Sequence, residues 1–170
     1  MSEPQRPIPA VELVAATVAD LHMLATDRTG FAVRMGSPAP GGWPAFPESV
    51  GFTINRLTTR PQEHEWWMHF FFVNGLLVGS GGYVGPPRDH EVEIGYEIAP
   101  GFRGKGYGVG AAAALVAQAF RTRQVKAVIA HTLPTESSST KVLQRLGFVE
   151  DAVVPDPEQG TIWRWRLTRK

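Results

Sequence analysis

Residues 93–108 form the most informative segment of the chain: Glu93-Ile-Gly-Tyr-Glu-Ile-Ala-Pro-Gly-Phe-Arg-Gly-Lys-Gly-Tyr-Gly108. Over residues 90–98, apolar side chains alternate with carboxylates, which predicts a β-strand with one acidic face. The apolar set is Val92, Ile94, Tyr96 and Ile98, and the carboxylates are Glu91, Glu93 and Glu97. Residues 109–120 are almost wholly apolar and rich in alanine, so they predict a buried helix packed on a sheet.

The loop at residues 100–108 is suited to binding an anion. The first amides of a helix lack intrahelical partners and lie at the positive end of its dipole. Glycines let the main chain approach a ligand closely, and Arg103 and Lys105 add positive charge. The loop therefore predicts a seat for a phosphate or diphosphate.

Two other interpretations of this loop stay open. One is a turn that merely ends a strand. The other is dinucleotide binding, since Gly106-x-Gly108-x-x-Ala111 fits the relaxed fingerprint for it. However, this loop follows a fourth strand, and residues 125–130 hold no acidic side chain where that fingerprint requires one. A Walker loop is excluded because no Gly-Lys-Ser/Thr occurs.

The remaining sequence places further elements around this segment. Strands are predicted at residues 11–15, 66–73, 76–83, 126–130, 149–154 and 161–167, and helices at residues 20–26, 46–57 and 137–146. The Asn74-Gly75 turn predicts that two of these strands form a hairpin. Prolines and glycines exclude regular structure over residues 36–47. The order β-α-α-β-β-β-α-β-α-β-β predicts one domain, residues 1–170, with a mixed α/β sheet.

The composition of the 170-residue chain excludes several classes of function. It contains no cysteine, which rules out disulfides, cysteine–zinc sites and a cysteine nucleophile. A net charge of +1 gives no support for nucleic-acid binding, and the five histidines lack the spacing of a zinc hydrolase. No apolar run reaches the ~18 residues of a membrane span, and we find no signal-peptide pattern. We therefore expect a cytoplasmic protein with no metal, nucleic-acid or membrane partner.

Two segments resemble signatures of the GNAT N-acetyltransferases. The family's acetyl-CoA-binding core, Gln/Arg-x-x-Gly-x-Gly/Ala, is similar to Arg103-x-x-Gly106-x-Gly108. The segment Ser139-Thr-Lys-Val-Leu-Gln-Arg-Leu-Gly-Phe148 resembles the second signature, in the form typical of the branch that includes the ribosomal-protein N-acetyltransferases. With the element order, the resemblance covers residues 11–167. It implies the GNAT-like α/β fold, with about seven strands flanked by about four helices.

The resemblance implies direct transfer of acetyl from acetyl-CoA to a primary amine, without an acyl-enzyme. In the family, the amides of a loop like residues 103–109 hold the pyrophosphate, and a strand end like residues 97–99 hydrogen-bonds the pantetheine. The cofactor-binding residues that the resemblance implies are Glu97, Ile98, Ala99, Arg103, Gly104, Lys105, Gly106, Tyr107, Gly108 and Val109. No metal is implied.

Two departures from the family pattern motivate an alternative function. Leu143 stands where other branches have a tyrosine general acid, and Glu136 and Ser137 stand where the branch usually has an asparagine. The alternative is a non-catalytic CoA-binding or sensing module of the same fold.

Glu93 and Ser139 are the candidate catalytic residues. Glu93 would act as the general base, and the hydroxyl of Ser139 would hydrogen-bond the departing sulfur. Like charges at Glu91 and Glu97 would raise at least one carboxyl pKa toward a useful value. The alternatives are that Glu93 is a solvated strand residue, that Ser139 caps a helix, and that His90 is a fallback base or a turn residue.

The acceptor side is less defined by the sequence. Trp43, Phe46 and His131 are the candidate acceptor-binding residues, although the first two could instead plug a lid into the core and the histidine could be structural. The acceptor is either a protein N-terminus or a small amine, and the three strand glutamates favour a cationic one. A homodimer is also possible, because an edge strand near Trp163 could pair with a second copy.

Overall fold

The computed structural model describes residues 4–170 of the chain. These residues form a mixed seven-stranded sheet with its flanking helices. Its strands are β1 (Glu12–Ala15), β2 (Met68–Val73), β3 (Leu76–Tyr83), β4 (Glu91–Ile98), β5 (Ala127–Thr132), β6 (Val149–Asp156) and β7 (Gly160–Thr168). The α-helices are α1 (Val18–Thr26), α2 (Arg28–Met35), α3 (Glu48–Thr59), α4 (Tyr107–Ala119) and α5 (Ser138–Arg145), with 3-10 turns at Pro61–Trp66 and Pro100–Phe102. Within this range, no helix is both long enough and apolar enough to cross a membrane.

The sheet confirms the predicted topology in most respects. Its strand order is β1-β2-β3-β4-β5-β7-β6, and every neighbouring pair is antiparallel except β4 with β5. The β2–β3 hairpin turns at Asn74 and Gly75, whose φ angles of 48° and 80° suit the predicted tight turn. Strand β7 lies between β5 and β6, so the predicted edge strand near Trp163 is wrong.

Helices cover both faces of the sheet and create two apolar cores. On one face, α4 and α5 bury Ala111, Leu115 and Leu143, as the alanine-rich pattern predicted for α4. Small side chains on α4 let this helix approach the sheet closely. On the other face, helices α1 to α3 enclose Phe31, whose ring centroid lies 5.5 Å from that of Phe70.

Helix α2 is the element that the sequence does not predict, because Thr29 and Gly30 are weak helix formers. The helix forms because its start and its buried face are both stabilised. At the start, Gly30 N donates a 2.9 Å hydrogen bond to the Asp27 side chain. Phe31 is 0% exposed in the core, and the helix ends at Gly36, where φ is 68°.

The proline- and glycine-rich segment of residues 36–47 contains no helix or strand, as predicted. It is nevertheless anchored. The guanidinium of Arg28 donates to the carbonyl oxygens of Pro40 and Trp43, both at 3.1 Å. The indole Nε1 of Trp43 donates to Ser80 Oγ on β3 at 2.9 Å. These bonds hold the segment against the sheet.

The close packing of β3 predicts that Gly81→Ala is destabilising. A Cβ at Gly81 would lie 2.6 Å from the Cα of Tyr96 and 2.8 Å from a ring carbon of Phe71, so the sheet must shift. We expect the free energy of unfolding to fall by about 1–3 kcal/mol in urea denaturation. Gly95→Ala on β4 is the matched control, because a Cβ there meets nothing within 4 Å. Equal losses in both variants would contradict the packing argument.

Candidate functional site

Strands β4 and β5 separate part of the way along the sheet. Their parallel pairing joins residues 91–93 to residues 127–129, whereas β4 continues to Ile98 with β3 as its partner. Beyond Glu93, the β5-facing edge of β4 therefore presents main-chain groups that an extended ligand can bind as an added strand. One group at this edge, the carbonyl oxygen of Ile98, accepts a 3.1 Å hydrogen bond from Arg103 Nε.

A cavity of about 420 Å³ lies beside this edge, and we call it the loop cavity. Its lining comes from the end of β4, the glycine-rich loop, and the first turns of α4 and α5. The lining residues are Tyr96, Glu97, Ile98, Phe102, Arg103, Gly104, Gly106, Tyr107, Gly108, Val109, Ser138, Ser139 and Val142.

The first turn of α4 lines the loop cavity, and its main-chain amides have no partner within the helix. Gly106 precedes the helix with a φ of 81°, and no side chain caps the helix. The first turn holds no acidic residue, and Gly110 N is the amide that bonds back to Gly106 O, at 3.1 Å. The preceding amides, Tyr107 to Val109, therefore sit at a positive helix end, which is favourable for an anion.

The predicted cofactor-binding residues lie together around this cavity, with two exceptions. Ala99 is buried and its amide donates to Val78 O at 2.8 Å, while the exposed side chain of Lys105 lies outside the lining. Phe102, Ser138 and Val142 also line the cavity, although the motif spacing did not single them out.

Ser139 lines the loop cavity from the first turn of α5. Ser139 does not cap α5, because the cap is Ser137, which forms a capping box with the fully buried Thr140. Ser139 is thus a residue of the cavity lining and not the cap of the helix. Leu143, one turn further along, is 1% exposed and belongs to the core.

A second cavity, of about 360 Å³, lies between α3 and strands β3 and β4, and we call it the aromatic cavity. Its lining residues are Phe46, Ser49, Phe52, Thr53, Trp67, Met68, Ser80, Gly81, Gly82, Tyr83, Val84, Gly95, Tyr96 and Glu97. Tyr96 and Glu97 line both cavities, so these two residues form a shared border, which we call the junction.

The three predicted acceptor-binding residues have different environments. Phe46 is 64% exposed and lines the aromatic cavity. Trp43 is 3% exposed and packs against Phe31 and Phe70, which favours the alternative of a lid plugged into the core. His131 lies outside both linings, with its Nδ1 bonded to Glu93 Oε1.

The carboxylates of β4 do not share one environment. Glu91 pairs with the guanidinium of Arg166, and Glu93 pairs with His131. Neither glutamate lines the loop cavity or the aromatic cavity, whereas Glu97 lines both. The oxygens of Glu97 accept hydrogen bonds from Ala45 N at 3.1 and 3.2 Å.

Burial raises the pKa of Glu97 above its ordinary value, and the Ala45 amide and the Arg103 charge oppose this rise. The predicted cause, repulsion between neighbouring glutamates, is therefore not the one that acts on Glu97. Sequence alternation places three carboxylates on one face, but it does not reveal that, within the described residues, Glu91 and Glu93 form ion pairs whereas Glu97 does not.

Tyr96 is the other residue that lines both cavities, and the sequence pattern did not single it out as a site residue. Alternation placed it on the core side as a packing residue, and it is indeed partly buried against that core. Burial raises the pKa of its hydroxyl to about 12, so the hydroxyl keeps its proton at neutral pH. For His90, the structure favours a turn residue over a fallback base, because its φ is 65°. Within residues 4–170, no group of three or more histidine, aspartate or glutamate side chains could hold a metal ion.

Known proteins share this fold and its sequence signatures. Residues 11–149 match the family model described as an acetyltransferase (GNAT) domain. The structure resembles RimL, a ribosomal L7/L12 alpha-N-protein acetyltransferase in complex with coenzyme A, with a TM-score of 0.69, 17% identity, and coverage of 95% of this chain and 96% of that chain. It also resembles the aminoglycoside acetyltransferase AAC(6')-Ib in complex with coenzyme A, with a TM-score of 0.65, 19% identity, and coverage of 94% and 95%.

A chimera of the spermidine N-acetyltransferase SpeG from Vibrio cholerae with hSSAT is similar as well. Its TM-score is 0.68 at 14% identity, with coverage of 93% of this chain and 95% of that chain. At such identities the likeness shows the fold alone. No curated protein matches the sequence.

The electrostatics of Glu97 predict how a Glu97→Gln variant changes stability with pH. Because the folded-state pKa of Glu97 is raised, ionising this group costs stability as pH rises through that pKa. Relative to the variant, the wild type should be most stable below the ordinary glutamate pKa and should lose that advantage toward neutral pH. Urea denaturation, followed by tryptophan fluorescence from pH 3.5 to 8, measures this difference. If the stability of the variant relative to that of the wild type instead falls between pH 4 and pH 7, burial is not the dominant influence on the pKa of Glu97.

Proposed function

The chain belongs to the GNAT acetyltransferase family, and we propose that its loop cavity holds acetyl-CoA while its aromatic cavity holds the acceptor amine. The protein is an N-acetyltransferase that takes acetyl from acetyl-CoA. The observation that carries the placement is that Tyr96 and Glu97 line both cavities. In this proposal the thioester and the amine approach each other from the two sides of this junction.

The diphosphate of the cofactor binds at the start of α4. The open amides of residues 107–109 and the positive helix end suit its charge, and Gly104 and Gly106 let the loop wrap closely around it. Arg103 and Lys105 contribute charge-assisted contacts. The pantetheine extends along the open edge of β4 at Glu97 and Ile98, beyond the residues of β4 that pair with β5.

In the transfer step, the neutral amine attacks the thioester carbonyl carbon directly. The new C–N bond forms, the C–S bond breaks, the amine gives up one proton, and the departing sulfur gains one. An alkylammonium with a pKa of about 10.4 must lose its proton before attack, so a proton acceptor at the junction accelerates the step. Main-chain amides at the β4 edge stabilise the oxyanion that develops on the carbonyl.

The carboxylate that accepts the amine proton is Glu97 in this proposal. Glu97 lines both cavities, and its raised pKa makes it a stronger base than an ordinary glutamate. Glu93, the candidate from the sequence, would act through His131 or a water molecule, because its carboxylate pairs with that histidine outside both linings.

The departing sulfur receives its proton on the side of the loop cavity. Ser139 is the candidate donor predicted from the sequence, and it lines that cavity. Tyr96 lies at the junction and keeps its hydroxyl proton at neutral pH, which makes it the second candidate. Single Ser139→Ala and Tyr96→Phe variants separate the two by their effects on kcat.

Removing the guanidinium at the loop should weaken cofactor binding. We expect Arg103→Ala to raise the Kd for coenzyme A roughly ten- to a hundredfold, as the loss of a charge-assisted contact of about 1.5–3 kcal/mol implies. Isothermal titration calorimetry measures this change. Arg123→Ala, which removes an exposed arginine outside the loop-cavity lining, is the matched control and should bind normally. Normal binding by both variants would contradict the proposed diphosphate seat.

Neutral replacements on β4 identify the base. We expect Glu97→Gln to lower kcat about 10²–10⁴-fold, the range typical of a lost general base, while the Kd for acetyl-CoA stays unchanged. Glutamine keeps an oxygen that can accept the Ala45 amide, so the local structure is preserved. Glu93→Gln is the matched variant, and a larger loss of kcat there than at Glu97 would assign the base to Glu93 instead.

A further inference from the structure

Resting on the proposed function, we propose that the acceptor is a primary amine attached to a compact apolar or aromatic group and carrying no second positive charge. The aromatic cavity carries this inference through its charge, its hydrogen-bonding groups and its walls. Each of these properties follows from residues on α3, on strands β2 to β4 and on the segments next to them.

The charge of the cavity suits one ammonium group. Glu97 is the single charged side chain among the lining residues that the structure describes, since Glu91 and Glu93 are paired elsewhere. Next to two of the lining rings, the guanidinium of Arg56 lies 5.1 Å from the ring centroid of Phe52 and 5.6 Å from that of Trp67. A polyamine would place its further ammonium groups beside apolar rings and toward this cation, which is unfavourable.

Four of the five hydroxyl groups of the lining already make hydrogen bonds within the protein, and the fifth belongs to Tyr96 at the junction. Ser49 and Thr53 donate to carbonyl oxygens on the same chain segment, both at 2.7 Å, and Tyr83 donates to Leu115 O at 2.6 Å. Ser80 Oγ accepts the bond from the buried Trp43. A sugar-like acceptor would lose hydrogen bonds to water on entry and would find few free donors in return.

The walls and the size of the cavity suit a flat apolar body. Phe46, Phe52 and Trp67 provide aromatic surface, and the last two rings meet edge to face at 5.8 Å. Cavities of roughly 300–1,000 Å³ bind small molecules, and this one is at the lower end, at about 360 Å³. A ring held against these walls places its amine toward Glu97, where the loop cavity begins.

A panel of amines tests this inference. Thiol release from acetyl-CoA is measured with phenethylamine, with a dipeptide that begins with phenylalanine, with spermidine and with kanamycin. We expect kcat/KM for phenethylamine or for the dipeptide to exceed that for spermidine and kanamycin at least about tenfold. Whichever of phenethylamine and the dipeptide has the higher kcat/KM shows whether the apolar amine is a free molecule or the first residue of a peptide.

Two variants test the cavity itself. Gly95→Val adds bulk to the lining in open space, so we expect kcat/KM for the preferred apolar amine to fall at least about tenfold while the Kd for acetyl-CoA stays unchanged. Val84→Glu places a second carboxylate on an exposed part of the lining and should raise the ratio of spermidine to phenethylamine turnover. Gly51→Ala on α3, also open but outside the lining, is the control for an added methyl group.

The outcomes separate this inference from the function on which it rests. If calorimetry detects no binding of acetyl-CoA, the proposed cofactor seat fails. If acetyl-CoA binds but spermidine or kanamycin is preferred, or neither apolar amine reacts, the acceptor inference alone is overturned. An unchanged kcat/KM for the apolar amine in Gly95→Val, together with an unchanged selectivity in Val84→Glu, would overturn it as well.

Discussion

The short parallel pairing between β4 and β5 is the constraint on which the rest of the site depends. The two strands share a register over three residues of each, residues 91–93 with 127–129, and then diverge. If the pairing continued to Ile98, the main-chain groups of β4 would be saturated and the start of α4 would have no space before it. Because it stops, one strand presents an open edge to the loop cavity and an acidic side chain to the aromatic cavity.

Long-range ion pairs then decide which acidic side chain is available. Arg166 on β7 neutralises Glu91, and His131 on β5 engages Glu93, so the sheet itself occupies two of the three carboxylates. Glu97 lies beyond the pairing with β5, where no such partner reaches it, and it is held instead by a main-chain amide of the 36–47 segment. The chemistry at this edge therefore follows from strand register more than from residue type.

Local patterns in the sequence predicted the hairpin, the buried alanine-rich helix and the glycine-rich loop, because each depends on neighbours within a few residues. The roles of Trp43 and Phe46 could not be separated that way: they are three residues apart, yet one enters the core and the other lines a cavity. Helix α2 depends on a cap and a buried ring that outweigh poor propensity. The homodimer and the cytoplasmic location stay predictions from the sequence.

The position of Arg103 links the two halves of the site. Its guanidinium bonds the carbonyl of Ile98 and, through its charge, partly offsets the effect of burial on the neighbouring Glu97. An anion that draws this guanidinium toward itself weakens that offset, so the proton affinity of the carboxylate rises as the anion binds. By thermodynamic reciprocity, protonation of Glu97 then favours the anion in turn. Binding of an anion in the loop cavity would thereby be coupled to the basicity of the Glu97 carboxylate, which also lines the aromatic cavity.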